Sequence, residues 1–320
     1  MNVLIIGGGG FIGGMLARRL AERGTLRGAD IGRLTLADLA APEAIAAPFS
    51  VVTAACDISD AAEVRALIAD DTDVIFHLAA VVSAHAEAEF ETGMAVNLDG
   101  TRNVLETARA TGATPVLVYA SSAAVFGGDV PDPVEDWTGL QPQTSYGTQK
   151  AIGELLLNDY SRRGWVRGRG FRLPTISVRP GKPNRAASSF MSSIIREPLQ
   201  GQEAVCPVDP DFEHYYLSPR RCVENLIRGA ELEQADLGMQ VNMTMPGRRW
   251  RVQDLIDAMT AVAGPEPAQR IRWEPQPDIA AIVQGWRYDY RPEKALALGL
   301  TADDSFEDNV RYFLEDAGLV

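Results

Sequence analysis

The chain has 320 residues, 46% hydrophobic and 23% charged, with a formal net charge of -13. That length suits one large α/β domain with an appended lobe, and its core needs no disulfide staples. The acidic balance argues against duplex nucleic acid and anionic membrane surfaces as partners.

The chain opens on a buried-strand run at residues 3–6. No basic n-region or cleavage pattern accompanies it, and no apolar run reaches the length of a membrane span, so a cytoplasmic protein is expected. A glycine-rich turn, Gly7-Gly8-Gly9-Gly10-Phe11-Ile12-Gly13, leads into a helical pattern over 13–23. A second strand, 34–37, ends at Asp38, and an Ala-rich stretch, 37–47, reads as a surface excursion. A third strand spans 50–54 and ends near Cys56 and Asp57, followed by a helix over 60–69. Then come a fourth strand at 74–78, a helix over 98–111 opening after Asn97, and a fifth strand at 115–120. A long helix over 145–162 and a sixth strand at 171–175 complete the pattern. Such alternation with continuous apolar strands predicts an α/β fold, a Rossmann-type doubly wound parallel sheet with a smaller C-terminal substrate lobe.

After Thr175 the prolines at 180, 183, 198, 207, 210 and 219 break the chain into short pieces. Strand-like 241–244, amphipathic 252–262 and strand-like 271–273 follow. The division is therefore 1–175 as a dinucleotide-binding domain and 176–320 as a substrate-binding lobe, with segments near 215–247 returning to the sheet. Cys56, Cys206 and Cys222 give no disulfide framework, and with His77, His85 and His214 they give no zinc spacing, so no metal is expected.

Gly7, Gly10 and Gly13 follow a strand and open a helix, the context in which backbone N–H groups and a helix N-terminus receive a pyrophosphate. Phe11 and Ile12 pack beneath that loop. Asp38 ends the second strand, where a carboxylate accepts from a ribose 2′-hydroxyl and repels a 2′-phosphate, which favours NAD over NADP. Arg33 precedes the strand and is badly placed to serve a phosphate. Asp57 and Ile58 flank the adenine position. Loop capping is the competing role for Asp38 and, with nearly equal weight, for Asp57.

Tyr146 and Lys150 lie one turn apart on the long helix and share a face. A nearby ammonium favours the phenolate, which can then take a proton from a substrate hydroxyl, and Lys150, with Tyr146 in the cofactor site, can also hold the nicotinamide ribose. Only three lysines occur, at 150, 182 and 294, which sharpens the pairing. Ser122, at the carboxyl end of the fifth strand, is placed to bond the substrate oxygen. Ser121 either supports it or faces the core.

These motifs, together with His77-Leu78-Ala79-Ala80, Asn97-x-x-Gly100-Thr101 and Ser121 to Gly127, resemble the extended short-chain dehydrogenase/reductase superfamily, the NAD-dependent epimerases and dehydratases. The resemblance implies that Ser122, Tyr146 and Lys150 form a catalytic triad. It also implies that Leu78, Ala79, Ala80 and Asn97 lie in the cofactor site, that Asn97 steadies the sheet and site as well, and that Pro174 and Ile176 lie against the nicotinamide. Ile6 replaces a threonine frequent before the first glycine. Thr175 stands where nucleotide-sugar epimerases usually carry an asparagine that holds substrate.

Residues 172–184, 187–190, 195–199 and 204–208 resemble the D-erythronate dehydrogenase branch, as does Ser145 to Leu156. That likeness implies NAD-dependent oxidation of the C2 hydroxyl of a small sugar acid. The alternative is a nucleotide-sugar epimerase or dehydratase that retains its NAD. An acid substrate needs local positive charge against the net -13. Arg179, Lys182, Arg185 and Arg196 are the candidate cations, with Arg179 or Arg196 favoured; Ser83, Asn184, Ser188 and Ser189 are neutral donors, and Thr175 is a further candidate substrate contact. The apolar faces of the 98–111 and 145–162 helices predict a homodimer.

Overall fold

The Val-, Ile- and Leu-rich runs form a parallel sheet in the computed structural model, which describes residues 1–181 and 187–319. The first half gives β1 (Asn2–Ile6), α1 (Phe11–Arg23), β2 (Arg33–Asp38), β3 (Ser50–Ala55), α2 (Ala61–Leu67), β4 (Val74–His77), α3 (Ser83–Ala88), α4 (Gly100–Thr111), β5 (Val116–Ser122), α5 (Ser145–Arg162) and β6 (Arg167–Leu173). The second half adds β7 (Thr175–Ile176), α6 (Phe190–Leu199), β8 (Ala204–Cys206), β9 (Glu213–Leu217), α7 (Pro219–Glu231), β10 (Asn242–Thr244), β11 (Arg248–Arg251), α8 (Val252–Ala263), β12 (Ile271–Trp273), α9 (Pro277–Gln284) and α10 (Phe306–Asp316).

The main sheet has seven strands in the order β10-β6-β5-β4-β1-β2-β3, all parallel. This is the Rossmann-type doubly wound arrangement, and the strand order reverses between β1 and β4. Parallel strands are covered on both faces, and Ile5, Ile6, Leu34, Val74, Phe76 and Val118 accordingly have no more than 1% exposure. A second sheet runs β7-β9-β11. Beneath it a separate core of Phe190, Met191, Ile194, Leu255, Met259, Val310 and Phe313 joins α6, α8 and α10. The chain does not stay in that lobe. Cys222, Val223, Leu226 and Ile227 of α7 pack into the sheet's core, and β10 pairs with β6. Among the described residues no helix is long and apolar enough to cross a membrane.

Two elements differ from the sequence reading. The sixth strand starts at Arg167, four residues earlier than apolar character suggests, because Arg167-Gly168-Arg169-Gly170 carries no apolar side chain. It also stops at Leu173: Pro174 has no N–H to offer a ladder, and Thr175 and Ile176 pair with β9 instead. The helix expected to open after Asn97 is already running there. A turn at Phe90–Gly93 passes through π-helical Met94–Asp99 into α4, so Asn97 lies inside the helical run.

Arg169 explains how a charged residue occupies a buried strand. Its side chain is fully buried. The guanidinium donates to the carbonyls of Arg167 and Gly229 at 2.6 and 3.2 Å, to Gln234 Oε1 at 2.9 Å, and to the carbonyl of Leu232. It thereby satisfies carbonyls that the end of α7 leaves open. Replacing Arg169 by alanine strands those acceptors and leaves a cavity. We expect a loss of about 3 kcal/mol in the free energy of unfolding. Urea denaturation checks this, and an unchanged midpoint would contradict the capping role.

Candidate active site

The carboxyl ends of β1, β2, β4 and β5 share one edge of the sheet, where doubly wound folds bind ligands. At the end of β1 the chain turns tightly. A Cβ on Gly13 would stand 2.1 Å from the Gly7 carbonyl oxygen, so only glycine permits α1 to start against that turn. Gly10 is the N-cap of α1, and Phe11 and Ile12 are its half-buried first residues. Asp38, the last residue of β2, reaches this loop: its carboxylate accepts from Gly9 N at 3.0 Å and Leu39 N at 2.8 Å. On the other flank Leu78 N and Ala79 N both donate to the Ile6 carbonyl, which folds 78–80 over the turn. Arg33, at the far end of β2, is paired with Asp71 at 2.6 Å.

Asp57 makes a local turn, accepting from Ser59 N and Oγ at 2.9 and 2.7 Å. Ile58 is buried beneath α4, close to Gly100. Asn97 does not present its amide as a cofactor ligand. It is 1% exposed, accepts from Val81 N, and donates to Val81 O and Gln149 Oε1. Its function is to tie the loop after β4 to α5. A π-helical turn at that point widens the helix, a feature common beside functional sites.

Ser122 and Tyr146 meet because α5 starts unusually close to the end of β5. A Cβ on Gly147 would stand 2.2 Å from the Ala124 carbonyl oxygen. Thr144 caps the helix by accepting from Gly147 N at 3.0 Å. Ser122 Oγ accepts from Ala124 N at 3.1 Å and stands against the Tyr146 phenol. Burial pushes the pKa of Tyr146 up, and the Ser122 hydroxyl draws it back down. Lys150 is 2% exposed. It donates to the Ala120 carbonyl at 2.8 Å, with its Nζ 5.8 Å from the centre of the Tyr146 ring. Burial lowers its pKa to about 7, against the raising influence of Glu154.

Ser121 faces the other way. Its hydroxyl donates to Glu154 at 2.6 Å, and Glu154 is paired through two oxygens with Arg172 at 2.8–3.1 Å, all buried. Sequence reading left Ser121 between two roles and gave none to Glu154 or Arg172. A carboxylate four residues after Lys150 was the available signal, since i and i+4 share a helix face.

The β5–β6 register sets Leu173 beside Ser122, so buried Pro174 and half-buried Thr175 and Ile176 continue past the serine. Ser83 starts α3, half-buried, on a helix that packs against α5. Arg179 is half-buried, with no hydrogen-bond or ion-pair partner for its guanidinium among the described residues. Burial and the charge of Arg196 lower its pKa.

Arg196 corrects the expectation of a free anchor. It is 2% exposed and committed to Glu197 at 2.6 Å, Ser193 Oγ at 3.3 Å and the Arg179 carbonyl at 2.7 Å. Ser188 is half-buried, whereas Ser189 is buried with its carbonyl accepting from Ser193. Lys182, Asn184 and Arg185 lie outside the described residues. His214, which sequence placed only outside any zinc spacing, is buried with Nε2 2.7 Å from Thr175 Oγ1. A cavity of about 660 Å³ lined by Val3, Leu4, Thr35, Val52 and Leu67 lies against the body of the sheet and includes none of these site residues.

Residues 3–212 match the model of the NAD dependent epimerase/dehydratase family. The chain is 52% identical to a D-erythronate dehydrogenase of Cupriavidus necator, covering all of this chain and 99% of that one. It is 40% identical to a D-erythronate dehydrogenase of Haemophilus influenzae over 98% of this chain and 99% of that one. A crystal structure described as a nucleoside-diphosphate-sugar epimerase from Agrobacterium tumefaciens matches with a TM-score of 0.95 and 45% identity, over 99% and 94% of the two chains.

Two buried imidazoles make stability depend on pH. Burial, aided by Lys150, lowers the pKa of His77 to about 3, and burial alone brings His214 to about 3. In the unfolded chain both return to about 6.5. Between those values the unfolded state binds more protons, so stability falls as pH drops through 6.5. We expect the urea midpoint to decrease from pH 7.5 to pH 5, a range above most carboxylate titration, and His214→Phe to flatten the slope. A midpoint independent of pH over that range would contradict neutral burial of both rings.

Proposed function

This chain belongs to the NAD dependent epimerase/dehydratase family, and we propose that within it the protein oxidises the C2 hydroxyl of a small sugar acid, D-erythronate or a near analogue, to the 2-keto acid. It is a dehydrogenase acting on a CH–OH group, and NAD is its cofactor. One observation carries the substrate reading: Ser122, Tyr146 and Lys150 stand together in a chain that matches D-erythronate dehydrogenases over its full length. In this reading residues 1–175 hold the cofactor and 176–320 supply the substrate side, with α7 and β10 lent back to the sheet. A homodimer through the outer faces of α4 and α5, in the cytoplasm, belongs to the same proposal; Leu155 on α5 is 66% exposed.

The glycine loop and Asp38 fit a dinucleotide. The loop leaves no room for a Cβ at Gly13, and a carboxylate stands beside it at the end of β2. Gly7, Gly10, Phe11, Ile12 and Gly13 would hold the pyrophosphate, Asp38 the adenosine ribose, Asp57 and Ile58 the adenine, and Leu78, Ala79, Ala80, Pro174 and Ile176 the nicotinamide half. When bound, NAD supplies the hydride acceptor. The Ser122 hydroxyl donates to the substrate oxygen and fixes its direction. Tyr146 Oη takes the C2 hydroxyl proton as the C2–O bond becomes a carbonyl. Lys150, fixed by the Ala120 carbonyl with its Nζ 5.8 Å from the Tyr146 ring centre, would in its charged form favour the phenolate. Asn97 acts through the fold by holding Val81 and Gln149 in place.

The Agrobacterium tumefaciens structure's description favours a second reading, a nucleotide-sugar epimerase. NAD reduction by the purified chain, screened over three- to six-carbon aldonates and over UDP-sugars, separates the two. We expect net NADH formation with D-erythronate and none with UDP-sugars. Tyr146→Phe should lower kcat by about 10²–10⁴-fold while NAD binding persists. UDP-sugar epimerisation without NADH release, or a near-normal Tyr146→Phe enzyme, would refute the mechanism.

Arg179 is the cation left to receive the carboxylate among the described residues. Arg179→Ala should raise the KM of the acid by roughly tenfold or more and leave the KM of NAD in place, as expected for a lost charge-assisted hydrogen bond. Equal changes in both constants would point to a structural role instead.

A further inference from the structure

His214 sits on β9, 6% exposed, with Nε2 2.7 Å from Thr175 Oγ1. Aromatic rings wall it in: Phe212 stacks at 6.3 Å, Trp286 lies tilted at 5.3 Å and Tyr216 meets it edge-on at 5.4 Å. Nδ1 has no hydrogen-bond partner among the described residues. Burial keeps the ring neutral, so one nitrogen carries the proton. A proton on Nδ1 would leave a buried N–H without an acceptor. A proton on Nε2 leaves only an acceptor lone pair unpaired, which costs less.

The Nε2–H therefore donates to Thr175 Oγ1, and the Thr175 hydroxyl must turn its own proton elsewhere. Among the described residues that hydroxyl has no second partner. Thr175 is half-buried and follows Leu173, the register partner of Ser122, by two residues. At about 3.3 Å per residue, it stands roughly 7 Å along the chain from the serine's level.

We propose that His214 is a specificity-determining residue, holding Thr175 as a hydrogen-bond donor to a neutral hydroxyl of the sugar acid beyond the reacting carbon. A neutral imidazole inside an aromatic wall offers no countercharge, so a carboxylate there would be desolvated without compensation. A C3 or C4 hydroxyl needs only the donor, and the carboxylate is left to Arg179. The proposal rests on the sugar-acid reading.

The test compares D-erythronate with 2-hydroxybutyrate, which keeps the carboxylate and the C2 hydroxyl but lacks the C3 and C4 hydroxyls. Thr175→Val and His214→Phe should each lower kcat/KM for D-erythronate by about tenfold or more, because a polar site left unpaired discriminates strongly. Both variants should leave 2-hydroxybutyrate and the KM of NAD within about twofold, and Thr175→Ser should restore erythronate activity. Equal losses on both acids, or no loss on either, overturn the proposal. A wild-type enzyme inert toward sugar acids overturns the sugar-acid reading as well, whereas an active one with unselective variants overturns this proposal alone. ¹⁵N shifts give a readout independent of turnover, and three histidines make assignment simple. A neutral His214 protonated at Nε2 supports the proposal; a cationic ring or one protonated at Nδ1 overturns it.

Discussion

Contact between helix α5 and strand β5 at nearly backbone distance is the constraint on which the site depends. Gly147 admits the Ala124 carbonyl, Lys150 reaches the Ala120 carbonyl, and Gly153 leaves room for the Tyr119 ring. Glu154 then takes the Ser121 hydroxyl. These positions recur at three- and four-residue intervals, so one stripe of the helix rests on β5 and the turn that follows it. The closeness that brings Tyr146 to Ser122 also removes Lys150 from water, and that desolvation brings its pKa near neutrality. Positioning and electrostatic tuning thus arise from one packing event.

The buried ion pair completes that event from the far side. Glu154 and Arg172 come from α5 and β6, with Arg172 opposite Ser121 in the strand register. A paired charge in the interior adds little net stability against a hydrophobic alternative. What it does supply is register, because neither partner tolerates a slip that would leave the other unpaired. The same logic runs through the arginines of this acidic chain. Arg169 satisfies helix-end carbonyls, and Arg196 is held by Glu197. The half-buried Arg179 guanidinium has no hydrogen-bond or ion-pair partner among the described residues.

Much of this was legible in the sequence, and the reason differs by element. Strands with continuous apolar runs announced themselves, and the glycine loop and the Tyr146–Lys150 spacing pointed to the residues that the fold gathers at the candidate site. β6 was half hidden because Arg169 is buried through hydrogen bonds to carbonyls 60 and 63 residues away, which no local pattern encodes. Asn97 read as a helix start because π-helical geometry carries no compositional mark. Arg196 read as a free cation because its neighbour Glu197 could as well have faced solvent; burial of α6 on nearly every side decides otherwise. His214 could not be given its partner from sequence, since Thr175 comes beside it only through the short β7–β9 pairing.

The last strand of the main sheet, β10, has a consequence for how the protein is made. It docks beside β6, yet some seventy residues of lobe separate the two in the chain. During synthesis β6 leaves the ribosome first, its edge unpaired while the lobe's first helices and strands follow. Unpaired strand edges are templates for pairing with foreign chains, and non-local parallel pairings form slowly. The arginines and glycines at the start of β6 make that waiting edge polar and poor in β-forming side chains. The composition that hid the strand from sequence reading also lowers the risk of aggregation in the nascent chain.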